Sequence, residues 1–272
     1  MNRVDLYRSA KGPVAPFIRR HWQNPVFKGL AGLSARYLRI YGNNNHYPFT
    51  NGEGAYLDRL PKGSVLQAFD VGGFRGEWTD LLHRAHPDSE VHCFEVTPAT
   101  AAALQADIGA DPRITVNPFG LSTEDGELSL FVNAASPNLN SLVHDRRASV
   151  SEVTVPVRRG DSYLSEHGIE HIDVLKIDTE GYDINVLRGF NSALTAGAIS
   201  VIQFEYCDWN ITSRVLLLDF YALLEPLGYA IGKVHPDTVA FKDYENADED
   251  WTGPACIAVH ESRPDLLAAL RG

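Results

Sequence analysis

The stretch Val65-Leu66-Gln67-Ala68-Phe69-Asp70-Val71-Gly72-Gly73-Phe74-Arg75-Gly76 constrains this chain more than any other. Its apolar run reads as a buried strand, and the glycines after it read as a tight turn. Trp78, Leu81 and Leu82, at helical spacing, predict a helix directly behind the turn. Gly72 and Gly76 carry no side chain, so the backbone can take positive φ and approach a ligand closely. The start of the helix then aims amide N–H groups at whatever binds there. A dinucleotide-binding turn reads G-x-G-x-x-G, and Phe74 stands at its third position, so the pattern here is Asp-x-Gly-x-x-x-Gly. Any tight strand-to-helix turn also needs glycine for structural reasons, so the turn alone does not name a ligand.

The segments downstream repeat the alternation of strand and helix. Glu90 to Phe94 reads as a second strand that ends at Glu95, 25 residues after Asp70. An acid near that distance from a glycine turn is the ribose-binding position of nucleotide-binding α/β folds. Pro98 to Ala106 reads as a helix, and Ile114 to Val116 as a third strand. Ile172 to Asp178, Ile199 to Tyr206, Tyr229 to Val234 and Ala255 to Val259 read as further strands. Helices through Ile184, Leu187 and Phe190, and over Val215 to Leu227, lie between them. The order predicts an α/β fold, a doubly wound, mostly parallel Rossmann-like sheet. Residues 117–160 interrupt it with strands at Leu128 to Val132 and Val153 to Val157. A stretch of loop composition over 134–147 contains Pro137, Asn138, Asn140 and Ser141. This segment is expected as an insertion over the ligand end of the sheet, where long loops are often functional. Residues 1–50 form a separate arm, irregular over 12–25 because of Pro13, Pro16 and Pro25, with a helix from Val26 to Tyr41. The main domain then runs over 51–272.

Side chains on a strand alternate between faces, so Lys176 and Asp178 share one face, and Gln203 and Glu205 share one face of the strand at 199–206. An unpaired charge inside an apolar run is costly, so these groups need partners or a cavity. If the Asp70 strand neighbours the 172–178 strand, Asp70, Asp178 and Glu205 gather at the carboxyl ends of adjacent strands, where open α/β sheets bind ligands. A Lys176–carboxylate pair that only fixes the sheet is the structural alternative. For Glu180 the alternative is an acid that stabilises a helix start.

Bulk properties narrow the classes. Three cysteines, few and odd in number, fit a thiol-reducing compartment rather than a disulfide scaffold. No apolar run reaches the length of a membrane span and no signal-peptide core is visible, so a cytoplasmic protein is expected. The net charge of −11 argues against a nucleic-acid partner. The charge is uneven: residues 1–42 carry eight Lys or Arg against Asp5 alone, +7 in all, which leaves −18 on the remainder of a chain whose total is −11. Such an arm can lie on its own acidic body or on a second subunit, giving a homo-oligomer. It can also contact an acidic carrier protein or an anionic membrane surface.

The Asp-x-Gly-x-x-x-Gly turn resembles the first motif of class I S-adenosylmethionine (SAM) methyltransferases. Other blocks are similar to the FkbM family of SAM-dependent O-methyltransferases. They are Asn-Gly-Glu at 51–53, Phe-Glu-Val-x-Pro at 94–98, Leu121-Ser122-x-x-Asp125-Gly126, Asn140-Ser141-Leu142 and Phe204-Glu205-Tyr206. The most specific block runs from Ile172 through Lys176, Asp178, Glu180 and Gly181 to Gly189. The family often has Leu-Asp-Asp before that strand, whereas this chain has Arg159-Gly160-Asp161. The resemblance does not reach residues 1–50.

The resemblance implies methyl transfer from SAM to a hydroxyl of a small acceptor, a sugar or polyketide-type natural product. It implies cofactor contacts from Glu53, Asp70, Gly72, Gly73, Phe74, Arg75, Gly76, Glu95 and Val96, with Glu95 on the ribose. The protein must align the acceptor oxygen with the methyl group and take its proton. Asp178, Glu180, Glu205, Lys176 and His144 are the candidate catalytic groups, with His46 a weaker base because a lone loop histidine is usually solvated. Mg²⁺ would suit Asp178 and other oxygen ligands, although the pattern does not require a metal. Two other classes compete: a nicotinamide-dependent oxidoreductase on the same topology, against which Phe74 counts, and a non-catalytic SAM-binding protein.

Overall fold

The computed structural model describes residues 14–133, 136, 140–144, 150–253 and 255–271. Arg3, Asp5, Arg8, Lys11 and Pro13 of the arm, and Pro137 and Asn138 of the loop, lie outside the described residues. The chain divides into two compact units after Asn44.

In the first unit, helices span Val14–Arg20 and Pro25–Tyr41. The earlier helix corrects the expectation of an irregular start. Pro16 falls in its first turn, where the N–H has no intrahelical partner to lose. Asn24 caps the second helix through a bond from the Val26 N–H at 2.9 Å, and Pro25 opens it. Phe17 and Phe27 meet edge to face, with ring centroids 5.9 Å apart, and join the two helices.

The second unit is built on an eight-stranded sheet. Its strands are β1 (Gln67–Val71), β2 (Glu90–Phe94), β3 (Ile114–Asn117), β7 (Ile172–Ile177), β8 (Ile199–Glu205), β9 (Tyr229–His235), β10 (Thr238–Phe241) and β11 (Ala255–His260). The order is β10-β9-β11-β8-β7-β1-β2-β3. Neighbours from β3 to β8 pair in parallel, whereas β11 runs antiparallel to both β8 and β9, and β10 to β9. The mixed α/β fold with a mostly parallel sheet is therefore present, with the reversal confined to one edge.

Within the inserted region, β4 (Gly120–Ser122), β5 (Gly126–Val132) and β6 (Ser151–Arg159) form a second sheet in the order β4-β6-β5. The three-residue β4, the four-residue β10, the helix Gly160–His167 and the terminal helix Pro264–Arg271 had no legible sequence signal.

Alternation along the strands sorts the core into two layers. Phe69, Val71, Leu175, Ile177, Ile202 and Phe204 pack on one side of the sheet. Ala68, Val174, Val201 and Ile257 pack on the other, against Tyr56, Trp78 and Leu82 from the flanking helices. On this second side the apolar pattern is broken by Asp70, Lys176 and Gln203. They lie in direct register on β1, β7 and β8, so three polar side chains form one row across the sheet. The row leads to the carboxyl ends of the same strands.

Candidate active site

A cavity of about 490 Å³ opens at the carboxyl ends of β1, β2, β7 and β8. Its first wall is the glycine turn. Gly72 has φ +81°, and a Cβ there would lie 1.9 Å from the carbonyl oxygen of Asp178, so the approach of the two strand ends admits only glycine. Phe74 also sits in the left-handed region, at φ +43°. Its N–H donates to Glu95 Oε2 at 3.2 Å, while Glu95 Oε1 accepts the Thr97 N–H at 2.7 Å. Burial raises the Glu95 carboxyl above its ordinary range, and the two amide donors partly offset this. Two donors leave about half of a carboxylate's acceptor capacity unused. Glu95 lines the cavity, so a ligand's hydroxyls can use the remainder.

The polar row forms the floor. Lys176 Nζ donates to Asp70 Oδ1 and to the Gly72 carbonyl, each at 3.0 Å, and lies 3.6 Å from Asp178 Oδ2. Burial alone would lower the lysine's pKa; the adjacent carboxylates of Asp70 and Asp178 outweigh it and hold the ammonium above its usual value. The Thr79 hydroxyl donates to the other oxygen of Asp70 at 2.8 Å. Beside this pair, the Tyr56 hydroxyl and the Trp78 indole N–H donate to Gln203 Oε1 at 2.6 and 2.9 Å. An atom taking two donors must be the amide oxygen, so Nε2 faces Glu53 Oε2 and donates to it at 2.8 Å. The Asn51 amide donates to the other oxygen of Glu53 at 2.6 Å. Desolvation raises the Glu53 carboxyl, and these two donors oppose it.

The far wall is acidic. Asp178 follows β7 and is exposed to the cavity. Glu180, two residues on, has φ +52°, and its backbone carbonyl accepts the Ser141 hydroxyl from the inserted segment at 2.8 Å. Burial, then the nearby carboxylates of Asp178 and Glu205, push the Glu180 carboxyl well above its usual range. Asp183 is buried and ties two strand ends together: it accepts the Thr179 hydroxyl at 2.7 Å and the Glu205 N–H at 3.1 Å. At the end of β8, Glu205 Oε1 lies 3.3 Å from His46 Nδ1, and its other oxygen is 3.2 Å from the Cys207 thiol. The bond to Glu205 raises the His46 pKa against the opposing effect of partial burial. Burial raises Glu205 in turn.

Of the residues expected from sequence, Glu53, Gly72, Gly73, Phe74, Glu95, Val96, Lys176, Asp178, Glu180 and Glu205 line this cavity. Four others do not. Asp70 is fully buried beneath it and serves Lys176 and Thr79. Arg75 points to Asp107, at 3.1 Å. Gly76 takes φ +82° before the Glu77–Ala85 helix, where a Cβ would meet Ile108 Cδ1 at 2.8 Å, so its place is in helix packing. His144 is exposed and stacks on Phe131, with centroids 4.4 Å apart.

His46, the weaker candidate, lines the cavity instead, because the loop before the Glu53–Arg59 helix carries it to the end of β8. Gln203, Tyr56 and Asn51 complete the site as a supporting network. A Mg²⁺ site at Asp178 does not fit. Among the described residues no group of three or more His, Cys, Asp or Glu is arranged to hold a metal ion. The cation already beside Asp178 is the Lys176 ammonium.

Residues 70–231 match the family model described as Methyltransferase FkbM domain. The chain is 27% identical over 188 residues to Methyltransferase 1 of Beauveria bassiana (strain ARSEF 2860), a match covering 62% of this chain and 74% of that protein. It is 25% identical over 156 residues to the 2-O-methyltransferase NoeI of Sinorhizobium fredii (strain NBRC 101917 / NGR234), covering 52% of this chain and 63% of that one. Among solved structures it is similar to Methyltransferase FkbM from Methylobacillus flagellatus KT, with 17% identity and a TM-score of 0.48. That match covers 74% of this chain and 45% of that chain.

Proposed function

Because the chain belongs to the FkbM-domain family of methyltransferases, we propose that it transfers the methyl group of SAM to a hydroxyl oxygen of a small acceptor, a sugar or polyketide-type metabolite. The observation that carries this reading is the meeting in one cavity of the glycine turn, Glu95 and the Glu205–His46 pair. SAM supplies a sulfonium methyl, and an in-line displacement breaks its C–S bond as the new O–C bond forms and the hydroxyl proton leaves.

The residues divide the remaining work. Glu95 accepts the ribose hydroxyls with the acceptor capacity that Phe74 and Thr97 leave unused. The turn at Gly72 and Gly73 lets the methionine part lie against bare backbone. Glu205 accepts a hydrogen bond from the Nδ1–H of His46, which leaves Nε2 as the proton acceptor for the hydroxyl. The same carboxylate then stabilises the imidazolium that forms, as the aspartate of a hydrolase triad does. Asp178 and the raised carboxyl of Glu180 flank the acceptor end, where one can accept and the other donate hydrogen bonds to a polyhydroxylated ligand. The 2-O-methyltransferase activity named for the Sinorhizobium relative supports an oxygen acceptor.

The experiment is release of S-adenosylhomocysteine from SAM across a panel of hydroxylated acceptors, beside calorimetry with SAM and with NAD. Binding of SAM with acceptor-dependent turnover is expected. NAD binding without SAM binding would transfer the cavity to the oxidoreductase class. SAM binding with no turnover on any acceptor, and an unchanged affinity in Glu205→Gln, would leave a binding protein.

A further inference from the structure

The first unit carries a surface that methyl transfer does not explain. Val26, Leu30, Leu33, Tyr37 and Ile40 of the Pro25–Tyr41 helix are each between 55% and 71% exposed. At about 100° per residue they fall within an arc of about 80°. Adding Phe27, Leu38 and Tyr41 widens the apolar sector to about 160° on the same geometry. Lys28, Arg36 and Arg39 occupy the opposite side, and residues 14–44 contain no acid at all. The Val14–Arg20 helix repeats the theme with exposed Phe17 and Ile18 beside Arg19 and Arg20, and Trp22 stands exposed after it. Neither helix buries a single residue.

We propose that residues 14–41 form a docking element for an anionic lipid surface. Three observations select that occupant. The charge is complementary: five cations without an acid suit a sheet of negative headgroups. The apolar sector is wider than the seam of a coiled coil and carries Trp22, Tyr37 and Tyr41, aromatic residues that suit the level of the headgroups. A second copy packed on the apolar face would leave Lys28, Arg36 and Arg39 facing outward with no acid of 14–44 to offset them, a charge that anionic headgroups do offset. Among the described residues no helix is long and apolar enough to cross a membrane, so the element lies in the interface plane. The remainder of the chain is acidic and is repelled by the same surface, which confines the contact to this unit.

The test is flotation of the full-length protein with vesicles of phosphatidylcholine alone, or of phosphatidylcholine mixed with phosphatidylglycerol. Binding at least about tenfold stronger to the mixed vesicles is expected, weakening steeply as salt is added. Leu30→Glu with Leu33→Glu should remove it by a similar factor while SAM affinity stays unchanged. The triple change Lys28→Gln, Arg36→Gln, Arg39→Gln, which keeps the apolar face, should do so too if the first variant fails to fold. Absence of vesicle binding, or equal binding to neutral and anionic vesicles, overturns the proposal. So does a dimer in sedimentation that Leu33→Glu converts to monomer without any vesicle binding, which would assign the face to a second copy.

Discussion

Replacement of Lys176 by Met tests the central device of the fold. Lys176 and Asp70 face each other in register on β7 and β1, 3.0 Å apart, with side chains 5% and 0% exposed. Methionine approximates the stem of lysine, so the change removes charge with little loss of packing. It leaves Asp70 as an uncompensated buried carboxylate, for which the penalty is typically about 3–5 kcal/mol. Asp70 keeps the Thr79 hydroxyl at 2.8 Å, which places the expected loss near the lower end, about 3 kcal/mol. With a urea m-value of about 2–3 kcal/mol per molar, the midpoint should fall by roughly 1 M. The folded lysine pKa lies above the ordinary value, so the lysine's contribution is complete at neutral pH and is lost as pH rises through the alkaline lysine range. Urea unfolding at neutral pH therefore reads it in full. The double variant Lys176→Met, Asp70→Asn should regain much of the loss, because neither partner is then charged. Lys176 also holds the Gly72 carbonyl, so SAM affinity should drop in the single variant by about tenfold, or about 1.4 kcal/mol. A single variant within about 1 kcal/mol of the parent, or a double variant no more stable than the single one, would refute the argument that burial makes this pair mutually dependent.

Glu205→Gln removes the anion that raises His46. The acid limb of the kcat/KM profile, which marks deprotonation of the base, should move to lower pH and the plateau should fall by about 10²-fold or more. A limb that stays in place would take the proton from His46 and give it to Asp178, and Asp178→Asn would then carry the loss. Glu95→Ala should weaken SAM and S-adenosylhomocysteine equally, each by at least about tenfold, since both carry the ribose; calorimetry showing normal affinity for both would end its assignment. Gly76→Ala should cost about 1–2 kcal/mol of stability through its left-handed backbone and the Ile108 contact, with SAM affinity unchanged. A large affinity loss in a stable variant would return Gly76 to the ligand site.

The parts of this fold that were legible in the sequence are those where a local pattern and the tertiary structure agree. β1 and β7 are apolar runs closed by polar residues, and Asp70, Lys176 and Gln203 stood out because charge and amide interrupt such runs. Alternation then placed them on one face, and register joined them. His46 was legible only as a weaker candidate base. Nothing within its Asn-rich loop distinguishes it from a solvated histidine, and its partner Glu205 lies far along the chain at the end of β8. Tyr56 and Trp78 are buried core residues whose polar tips also fix the Gln203 amide. Aromatic residues with one polar atom serve both purposes at once, and composition shows only the first. The short β10 and β4 gave too few residues for a period to register, and they form because partner strands already present an edge.

Glu180 carries the argument for a ligand-facing role further than its position alone. Its left-handed backbone costs on the order of 1–3 kcal/mol for a non-glycine residue, and glycine follows at once in Gly181, itself at φ +87°. The same residue places a carboxyl beside Asp178 and Glu205, where repulsion and burial both disfavour its charge. A glycine at 180 would relax the backbone and remove the repulsion together. Phe74 repeats the pattern on the opposite wall, strained at φ +43° and held by Glu95. Of the five non-glycine residues at positive φ among the described residues, Phe74 and Glu180 line the cavity, while Asn43, Arg214 and Trp251 do not. The strained angles on both walls are held by hydrogen bonds to Glu95 and from Ser141, at two positions that line the cavity.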